Sequence, residues 1–436
     1  MTSIMFPQTG VQARASGGPI CSILSREAIS LGDAFCFLAP MLQFVRFELV
    51  GEMCVSDLLI LAAFPIAILR HSERLKQKPV PTILTLGLFW LVAQIVTDLL
   101  RSSAPMDYLR GWSKISLLLV NFAVVWIVAC RSQRRIVLYG TGLAIGAILA
   151  FYVSPSDQAL ISPWKFALGA PVSLLVVVWG PRAARGLYFG VLLPLTALAV
   201  LHAFEDVRSL AVITFLTAVF SVFHTSMAGG QQRVGRSRMV LLAFTVACGV
   251  WAFTQVYSHY AEQGLFGDYA QRKQVSQASG AGGLLLGGRS EILASGQAIL
   301  DSPLLGHGSW PRDPLYADIL AEKRAELGYR DLDNNTGRRD DLIPAHSYIF
   351  GAWVESGLAG AVFWVFVVGF TIRTLLKVSG WEPLLPLFAF AGFMQLWDIP
   401  FSPLGALTRL TAPYYLALVV ALRAFQDAQT DPGDGI

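Results

Sequence analysis

The sequence predicts an all-α, polytopic membrane protein with about twelve transmembrane helices and a large, mostly helical loop between helices 9 and 10. Two observations support this prediction. Only 14% of the 436 residues are charged and 54% are hydrophobic, whereas water-soluble domains are about a quarter charged. The charged residues are clustered, and the apolar runs between them, about 17 to 22 residues long, suffice for a helix to cross a hydrocarbon core of about 30 Å. An ordinary soluble enzyme is therefore excluded.

The predicted organisation follows these runs along the chain. Residues 1–32 form a cytoplasmic tail, 33–257 carry helices 1 to 9, 258–345 form the large loop, 346–422 carry helices 10 to 12, and 423–436 form a second cytoplasmic tail. The predicted spans, in order, are Asp33–Phe47, Cys54–Leu69, Val80–Leu100, Ile115–Cys130, Ile136–Val153, Phe166–Trp179, Leu187–Phe204, Leu210–His224, Val240–Tyr257, Ser347–Leu376, Leu384–Ile399 and Leu404–Leu422.

The positions of Lys and Arg predict the orientation of these helices, because cytoplasmic loops carry an excess of both. With the N-terminal tail inside, the inner segments hold 17 of the 33 Lys and Arg residues, the short outer loops hold 7, and the large loop holds the other 9. The rule applies to short loops, so the comparison is 17 with 7. The large loop, Ser258–Ala345, is therefore predicted to lie outside.

The large loop is too long to be a simple connection, and long loops at a membrane surface usually carry function. Ser290–Leu300 and Tyr316–Leu327 have the apolar spacing of helices, while 331–344 is typical of irregular chain. We expect a small helical cap on the outer face. Elsewhere, Gly142 and Gly146 form a GxxxG pair that indicates close helix packing.

The most informative stretch for chemistry is Gly287–Pro314 within this loop. Gly287 and Gly288 permit turns ahead of a helix that begins near Ser290, so Arg289 stands beside free backbone amides at a helix N-terminus and suits a phosphate. The alternative is that Arg289 and Glu291 only cap or solvate the helix. Gly306 and Gly308 would let the backbone approach a ligand, although a tight turn explains them better.

A second stretch begins at Pro344, where the loop meets the tenth helix. His346 can exchange a proton near neutral pH at the level of the outer headgroups, or it can serve as a helix cap or interfacial anchor. Glu355 lies nine residues further on, about 13 Å deeper along a helix. An acid at that depth is a functional candidate; the alternatives are that it pairs with a buried arginine or bonds to a helix backbone.

Other cations are predicted at the outer headgroup level, at Arg208, Arg272, Lys273 and Arg409. Two or three arginines converging there would suit a pyrophosphate; the alternative is that they snorkel or are neutralised by nearby acids. The net charge of +4 is scattered, which excludes nucleic-acid binding. The five cysteines show no CxxC spacing, and no HExxH motif is present, so neither a disulfide framework nor a catalytic metal is predicted.

The order and spacing of these segments resemble the O-antigen ligase and polymerase superfamily, membrane glycosyltransferases of bacterial surface-polysaccharide assembly. The resemblance depends on GGRSEI at the start of the loop motifs, on ILDSPLLGHGSW, and on AHSYIFGAWVESGLAG at the tenth helix. The Pro-x-x-Gly-x-Gly turn of the family corresponds to Pro303–Gly308. Ser347 follows His346 where the family usually has Asn.

The resemblance implies that Arg289 contacts the diphosphate of an undecaprenyl-diphosphate-linked glycan and that His346 assists the acceptor hydroxyl. Arg208 and, more loosely, Arg272 match further arginines of the family that bind the diphosphate. Glu291, Gly306, Gly308 and Ser347 are then supporting residues. The transfer would be inverting, with no metal and no cofactor.

The same resemblance implies a bacterial inner membrane with the loop in the periplasm. The acceptor would be lipid A core for a ligase, or a growing O-antigen or exopolysaccharide chain for a polymerase, with other polysaccharide-assembly proteins as partners. These two remain open. A transporter of lipid-linked or soluble saccharide is a second class, disfavoured because polar residues crowd one face and the chain lacks related halves. A non-catalytic scaffold of the same assembly is a third.

Overall fold

A computed structural model describes residues 29–49, 51–183, 190–227, 249, 251, 254–329, 341–378, 384–406 and 408–430. The structure is 79% helical. Within the described ranges, its strands are β1 (Arg46–Glu48) and β2 (Glu52–Cys54), an antiparallel hairpin that pairs Phe47 with Met53. The predicted all-α class is therefore confirmed, although the hairpin was not expected.

The helices follow the predicted order. Those before the cap are α1 (Leu31–Met41), α2 (Val55–His71), α3 (Val80–Arg101), α4 (Pro105–Val128), α5 (Gln133–Val153), α6 (Asp157–Ile161), α7 (Gly169–Ala183), α8 (Leu192–Phe204), α9 (Arg208–Met227) and α10 (254–262). The remaining helices are α11 (Asp268–Ala278), α12 (Gly283–Gly288), α13 (Glu291–Asp301), α14 (Pro314–Glu326), α15 (Tyr348–Ser356), α16 (Leu358–Leu376), α17 (Leu385–Phe401) and α18 (Thr411–Thr430).

Among the described residues, five helical segments are long and apolar enough to cross a membrane: Val55–Lys76, Val80–Arg101, Pro105–Arg131, Gln133–Val153 and Leu358–Leu376. The same described part of the chain contains five shorter apolar helices. Together they indicate a membrane-embedded protein. The number of twelve spans and their sidedness stay predictions, and the predicted ninth span, 240–257, lies largely outside the described residues.

Several helix boundaries differ from the predicted ones. The fourth helix begins at Pro105 instead of Ile115, because its polar first turns remain helical: Pro105 occupies the first turn, and Asp107 is the acidic residue there. The last helix runs over Thr411–Thr430 instead of Leu404–Leu422, and an ion pair of 2.9 Å between Arg423 and Asp427 lies on its final turns. The predicted C-terminal tail from residue 423 is thus partly helical.

The predicted tenth span, Ser347–Leu376, is two helices instead of one. Gly357 separates α15 from α16 with φ +66°, a conformation that favours glycine. A Cβ at Gly357 would collide with the carbonyl of Leu304, and the amide of Leu358 donates to that carbonyl. The Pro303–Gly308 turn therefore packs against the break and caps it.

Close backbone packing holds the first helix to the bundle. A Cβ at Gly142 would collide with the carbonyl of Phe37, and a Cβ at Gly146 with that of Met41. The GxxxG pair thus lets α5 approach α1, as predicted. The main core contains large buried side chains, among them Trp90, Trp126, Trp364 and Phe363.

The cap consists of α11 to α14, between α10 and α15. Its two predicted helices are confirmed as α13 and α14, whereas α11 and α12 were not predicted, because one is polar and the other is short and glycine-rich. A small second core packs α13 and α14 of the cap against α15 and consists of Ala294, Ala298, Ile299, Tyr316, Ile343 and Val354. The predicted irregular stretch over 331–340 lies outside the described residues.

Candidate functional site

The Pro303–Ser309 turn is anchored to α3 by Asp98, which is 2% exposed. One carboxylate oxygen accepts from the Ser309 amide (2.6 Å) and the Ser103 hydroxyl (2.8 Å). The other accepts from the Ser309 hydroxyl (2.8 Å), the Trp112 indole (2.8 Å) and the Gln94 amide (3.3 Å). This satisfied network fixes the turn, and with it the end of α15.

The two glycines of the turn make room for the chain's own atoms. Gly306 has φ +79°, and a Cβ there would lie 2.6 Å from the Gly357 nitrogen and 2.8 Å from the Glu355 oxygen. Gly308 has φ +91° and faces the Ser103 hydroxyl. The alternative of a tight turn therefore describes Gly306 and Gly308, and their contribution to a site is to position α15.

Arg208 begins α9 and is held in a defined orientation. Its guanidinium donates to the side-chain oxygens of Gln274 (3.1 Å) and Gln277 (2.7 Å) on α11 and stacks 5.3 Å from the Tyr257 ring centroid. Gln274 is 1% exposed, and its amide nitrogen has no hydrogen-bond partner in the described structure. Because the oxygen of that amide is taken by Arg208, the nitrogen can still donate to an incoming acceptor.

Three cationic side chains form ion pairs with the carboxylate of Asp206. This residue lies in the turn between α8 and α9 and has φ +53°. Lys273 lies 2.6 Å from it, Lys165 3.5 Å and Arg208 3.8 Å. Burial opposes ionisation of Asp206, but Lys273 and Lys165 outweigh it, and the pKa of Asp206 is lowered. Burial and the charge of Lys165 lower the pKa of Lys273, and the carboxylate of Asp206 opposes this shift.

Arg289 lies at the junction of α12 and α13, and its guanidinium donates to the Gly288 carbonyl at 3.2 Å. A Cβ at Gly287 would collide with the Gln277 carbonyl, so the glycine lets α12 lie against α11, where Arg208 is bound. Burial lowers the pKa of Arg289, the Glu291 carboxylate opposes this shift, and the charge of Arg208 adds to it.

The pKa of His346 responds to the charges of Arg289 and Glu291. Desolvation lowers the pKa of its imidazole, Glu291 opposes this shift, and Arg289 adds to it. The side chain is nonetheless accessible at the surface. His346 is thus biased towards the neutral form beside a cationic group, as a proton acceptor requires.

The other predicted residues lie elsewhere or have structural partners. Arg272 is exposed on α11, and its Nε donates to the Asp268 carbonyl at 3.4 Å. Arg409 pairs with Asp57 at 3.2 Å. The hydroxyl of Ser347 donates to the Ile399 carbonyl (2.8 Å) and accepts from the Phe350 amide (3.2 Å), so that it caps α15.

Glu355 pairs with Lys114 at 2.5 Å, which agrees with a buried cationic partner, although the partner is a lysine instead of an arginine. The charges of Arg208 and Glu291 act on the pKa of Arg289, and those of Arg289 and Glu291 act on the pKa of His346, whereas Arg272 and Arg409 have other partners. The structure adds Lys273, which sequence reasoning named but did not select. Helical spacing could have indicated Lys273, because Lys273, Gln274 and Gln277 fall on one face of a helix and Arg272 falls on another.

Four cationic side chains (Lys165, Arg208, Lys273 and Arg289) and two carboxylates (Asp206 and Glu291) make up this group, which has a surplus of two positive charges when Lys273 is protonated and His346 is neutral. Such a surplus in a partly desolvated site suits a ligand with two negative charges. Among the described residues, no three His, Cys, Asp or Glu side chains are grouped as metal ligands would be. No family model matches the chain, and no curated protein matches it.

Proposed function

We propose that this protein is a membrane glycosyltransferase that moves a glycan from an undecaprenyl diphosphate carrier to an acceptor hydroxyl at the outer face of the bacterial inner membrane. The observation that supports the proposal is the cationic group: Arg208 and Lys273 share the Asp206 carboxylate, the charge of Arg208 acts on the pKa of Arg289, and the charge of Arg289 acts on the pKa of His346. A diphosphate supplies matching negative charge. The resemblance of the loop motifs to O-antigen ligases and polymerases favours the same substrate.

The cationic residues supply the main catalytic effect in this proposal. When the glycosidic bond breaks, the bonding electron pair leaves with the diphosphate oxygen, and negative charge increases there. Fixed guanidinium and ammonium groups stabilise that charge more in the transition state than in the bound donor. Because Asp206, Gln274 and Gln277 hold Arg208 and Lys273 in place beforehand, little reorganisation of these two residues accompanies the reaction.

His346 has the role of proton acceptor. The oxygen of the acceptor hydroxyl forms the new bond to the anomeric carbon, the bond to the diphosphate breaks, and the hydroxyl proton moves to the imidazole. The lowered pKa keeps the imidazole neutral at physiological pH, and the Glu291 carboxylate stabilises the imidazolium that forms. The reaction needs no metal in this scheme, because cationic side chains stabilise the charge of the leaving diphosphate. The transfer inverts the configuration at the anomeric carbon.

The proposal covers two members of one reaction class. A ligase would transfer a finished glycan to lipid A core, whereas a polymerase would join repeat units of O-antigen or exopolysaccharide. Both use the same donor site and differ in the acceptor. The large loop would lie in the periplasm in either case, with the polyprenyl chain entering from the outer leaflet.

The test is transfer by the purified protein in lipid vesicles that contain a polyprenyl-diphosphate-linked glycan and an acceptor. We expect a covalent glycan–acceptor product and release of polyprenyl diphosphate, both lost in Arg289→Ala by about 100-fold or more. Arg289→Lys should retain partial activity, because a point charge replaces a bidentate fork.

The matched control is Arg272→Ala, which removes an exposed arginine of the same cap and should leave transfer unchanged. Movement of intact donor or saccharide across the vesicle membrane without a covalent product would identify a transporter and refute the proposal. Normal transfer by a folded Arg289→Ala protein would refute the assigned site.

A further inference from the structure

The turn that follows α13 carries an exposed apolar surface. Leu300, in the last turn of α13, is 74% exposed, and in the turn itself Leu304 is 71% and Leu305 45% exposed. The surface continues on α3 and α16, whose ends beside this turn expose Val96, Leu99, Leu100, Leu358 and Val362. Exposed apolar surface of this extent marks a site of interaction with a protein or with a membrane.

Four consecutive carbonyls of the turn accept hydrogen bonds from neighbouring helices. The donors come from α15, α16 and α3, and for the carbonyls of Pro303, Leu304, Leu305 and Gly306 in turn they are the Trp353 indole (2.9 Å), the Leu358 amide (3.3 Å), the Thr97 hydroxyl (2.7 Å) and the Arg101 guanidinium (3.0 Å). A turn in water needs no such partners, because water satisfies its carbonyls. In hydrocarbon an unpaired carbonyl is costly, so irregular chain at membrane depth needs partners within the protein. These carbonyls meet that condition.

The same contacts set the depth of the turn relative to the long apolar helices. α3 has 22 residues and a length of about 33 Å, which matches a hydrocarbon core of about 30 Å. Thr97 lies one turn before the end of α3, so the Leu305 carbonyl that it binds is about 6 Å inside that end. The Leu304 carbonyl binds Leu358, the first residue of α16. Both leucines therefore lie at the edge of the hydrocarbon core, on the side of the cap.

An arginine and a tryptophan accompany this edge. Arg101 ends α3, and its guanidinium also donates to the Ser302 hydroxyl at 2.7 Å. An arginine at the end of a membrane helix commonly places its charge at the level of the headgroups. Trp353, whose indole binds the turn, is of a residue type that is enriched at membrane–water interfaces. The two side chains thus mark the boundary at which the leucines meet lipid.

Asp301, which directly follows Leu300, has partners within the cap. Its carboxylate oxygens accept from the Tyr316 hydroxyl and from the Gln297 amide, each at 2.9 Å. Contact of Leu300 with lipid therefore leaves this carboxylate hydrogen-bonded.

We propose that Leu300, Leu304 and Leu305 bind the acyl chains of the leaflet on the cap side of the membrane. The bilayer then holds the cap in addition to its contacts with the helix bundle. The occupant is lipid because the surface is continuous with that of α3 and α16, two helices suited to crossing the membrane, and because the turn's carbonyls are satisfied as hydrocarbon requires. This attachment is independent of the glycosyl transfer proposed above.

Lipid contact at this end also bears on the position of the cationic group. α13 has 11 residues and is about 16 Å long, with Leu300 in its last turn. Arg289 lies two residues before Glu291, the first residue of α13. One helix thus connects the lipid-bound end of the cap with the cationic group.

The test measures the depth of nitroxide labels in the purified full-length protein, reconstituted in phosphatidylcholine vesicles. Leu304→Cys and Leu300→Cys are each labelled in a background that carries Cys21→Ser and Cys248→Ser. The three other cysteines are buried, and the background protein treated with the same reagent is the blank. Power-saturation spectra compare collisions with oxygen, which concentrates in hydrocarbon, with collisions with a water-soluble nickel chelate.

Two further positions calibrate the measurement. Val365→Cys replaces an exposed side chain within the apolar stretch of α16 and marks lipid. Glu322→Cys replaces an exposed charged side chain on α14 of the same cap and marks water.

We expect the labels at positions 304 and 300 to collide more often with oxygen than with the chelate, as at position 365, and the label at 322 to show the reverse order. Collisions chiefly with the chelate at 304 and 300 would place the turn in water and overturn the proposal. Exclusion of both reagents would show that a second copy or another protein covers the leucines, and would overturn it equally. Should Leu304→Cys fail to fold, Leu300→Cys decides, because that side chain stands free at a helix end.

Discussion

Asp98 is the residue whose substitution most directly probes how the cap is attached to the bundle. The change is Asp98→Asn, which keeps the size of the side chain and replaces one oxygen by an amide. The Ser309 amide and the Trp112 indole can only donate, and they bind different carboxylate oxygens at 2.6 and 2.8 Å. An asparagine has one oxygen, so either orientation leaves one of these two donors facing another donor.

The magnitude follows from that geometry. A buried donor without an acceptor costs about 1–3 kcal/mol, and the hydrogen bonds that remain lose the contribution of the charge. Asp98 is 2% exposed, so water cannot substitute. We expect a loss of about 3 kcal/mol in the free energy of unfolding. Ser103→Ala, which removes one hydroxyl donor from the same carboxylate, should cost about 1 kcal/mol.

The assay is a denaturant titration of the purified protein and both variants in one detergent, with tryptophan fluorescence as the signal. Asp98→Asn should also lower transfer, because the turn it holds positions α15 and the neighbouring His346. If Asp98→Asn were no less stable than Ser103→Ala, the network would not anchor the cap and the reasoning would be refuted.

Three further outcomes are expected. Gly306→Ala should destabilise the protein by about 3 kcal/mol or more, since its Cβ would lie 2.6 Å from the Gly357 nitrogen. The control Gly267→Ala, at a position with φ +89° and nothing within 4 Å, should cost about 1 kcal/mol. Denaturant titration measures both losses, and equal losses would contradict the packing argument. Glu291→Gln removes the carboxylate that raises the pKa of His346. The fall of the transfer rate on acidification, which lies below about pH 6.5 in the wild type, should therefore move to lower pH. An unchanged pH–rate profile would show that Glu291 does not act on His346. Lys273→Ala should weaken binding of polyprenyl diphosphate about tenfold, while Arg272→Ala should leave it unchanged. A binding titration measures both affinities. The opposite result would favour Arg272, the residue predicted from the sequence, as the diphosphate ligand.

The helical architecture could be predicted because hydrophobic burial in a bilayer leaves a clear pattern. Runs such as Val80–Leu100 and Ile136–Val153 coincide with α3 and α5 almost residue for residue. The break at Gly357 could not be predicted in the same way. It depends on contact with Leu304, more than 50 residues earlier, and a local apolar pattern contains no information about such a contact.

The candidate site could be predicted in part. Arg289 and His346 could be named from the sequence because each stands at the junction of a motif and a helix, and the charge of Arg289 is one of the causes that lower the pKa of His346. Arg272 was chosen over Lys273 because residue type was weighed without the helical face. The left-handed backbone of Trp310 was not predicted, because it depends on the turn that Asp98 anchors.

The most direct test of the central claim is the rate of glycan transfer per molecule of purified His346→Ala protein in vesicles, with donor binding measured on the same sample. We predict a rate about 100-fold or more below that of the wild type, with unchanged affinity for polyprenyl diphosphate. His346→Gln distinguishes orientation of the hydroxyl from proton transfer, because glutamine forms hydrogen bonds but does not titrate. Transfer at the wild-type rate by folded His346→Ala protein would contradict the account and leave His346 as a structural residue before α15.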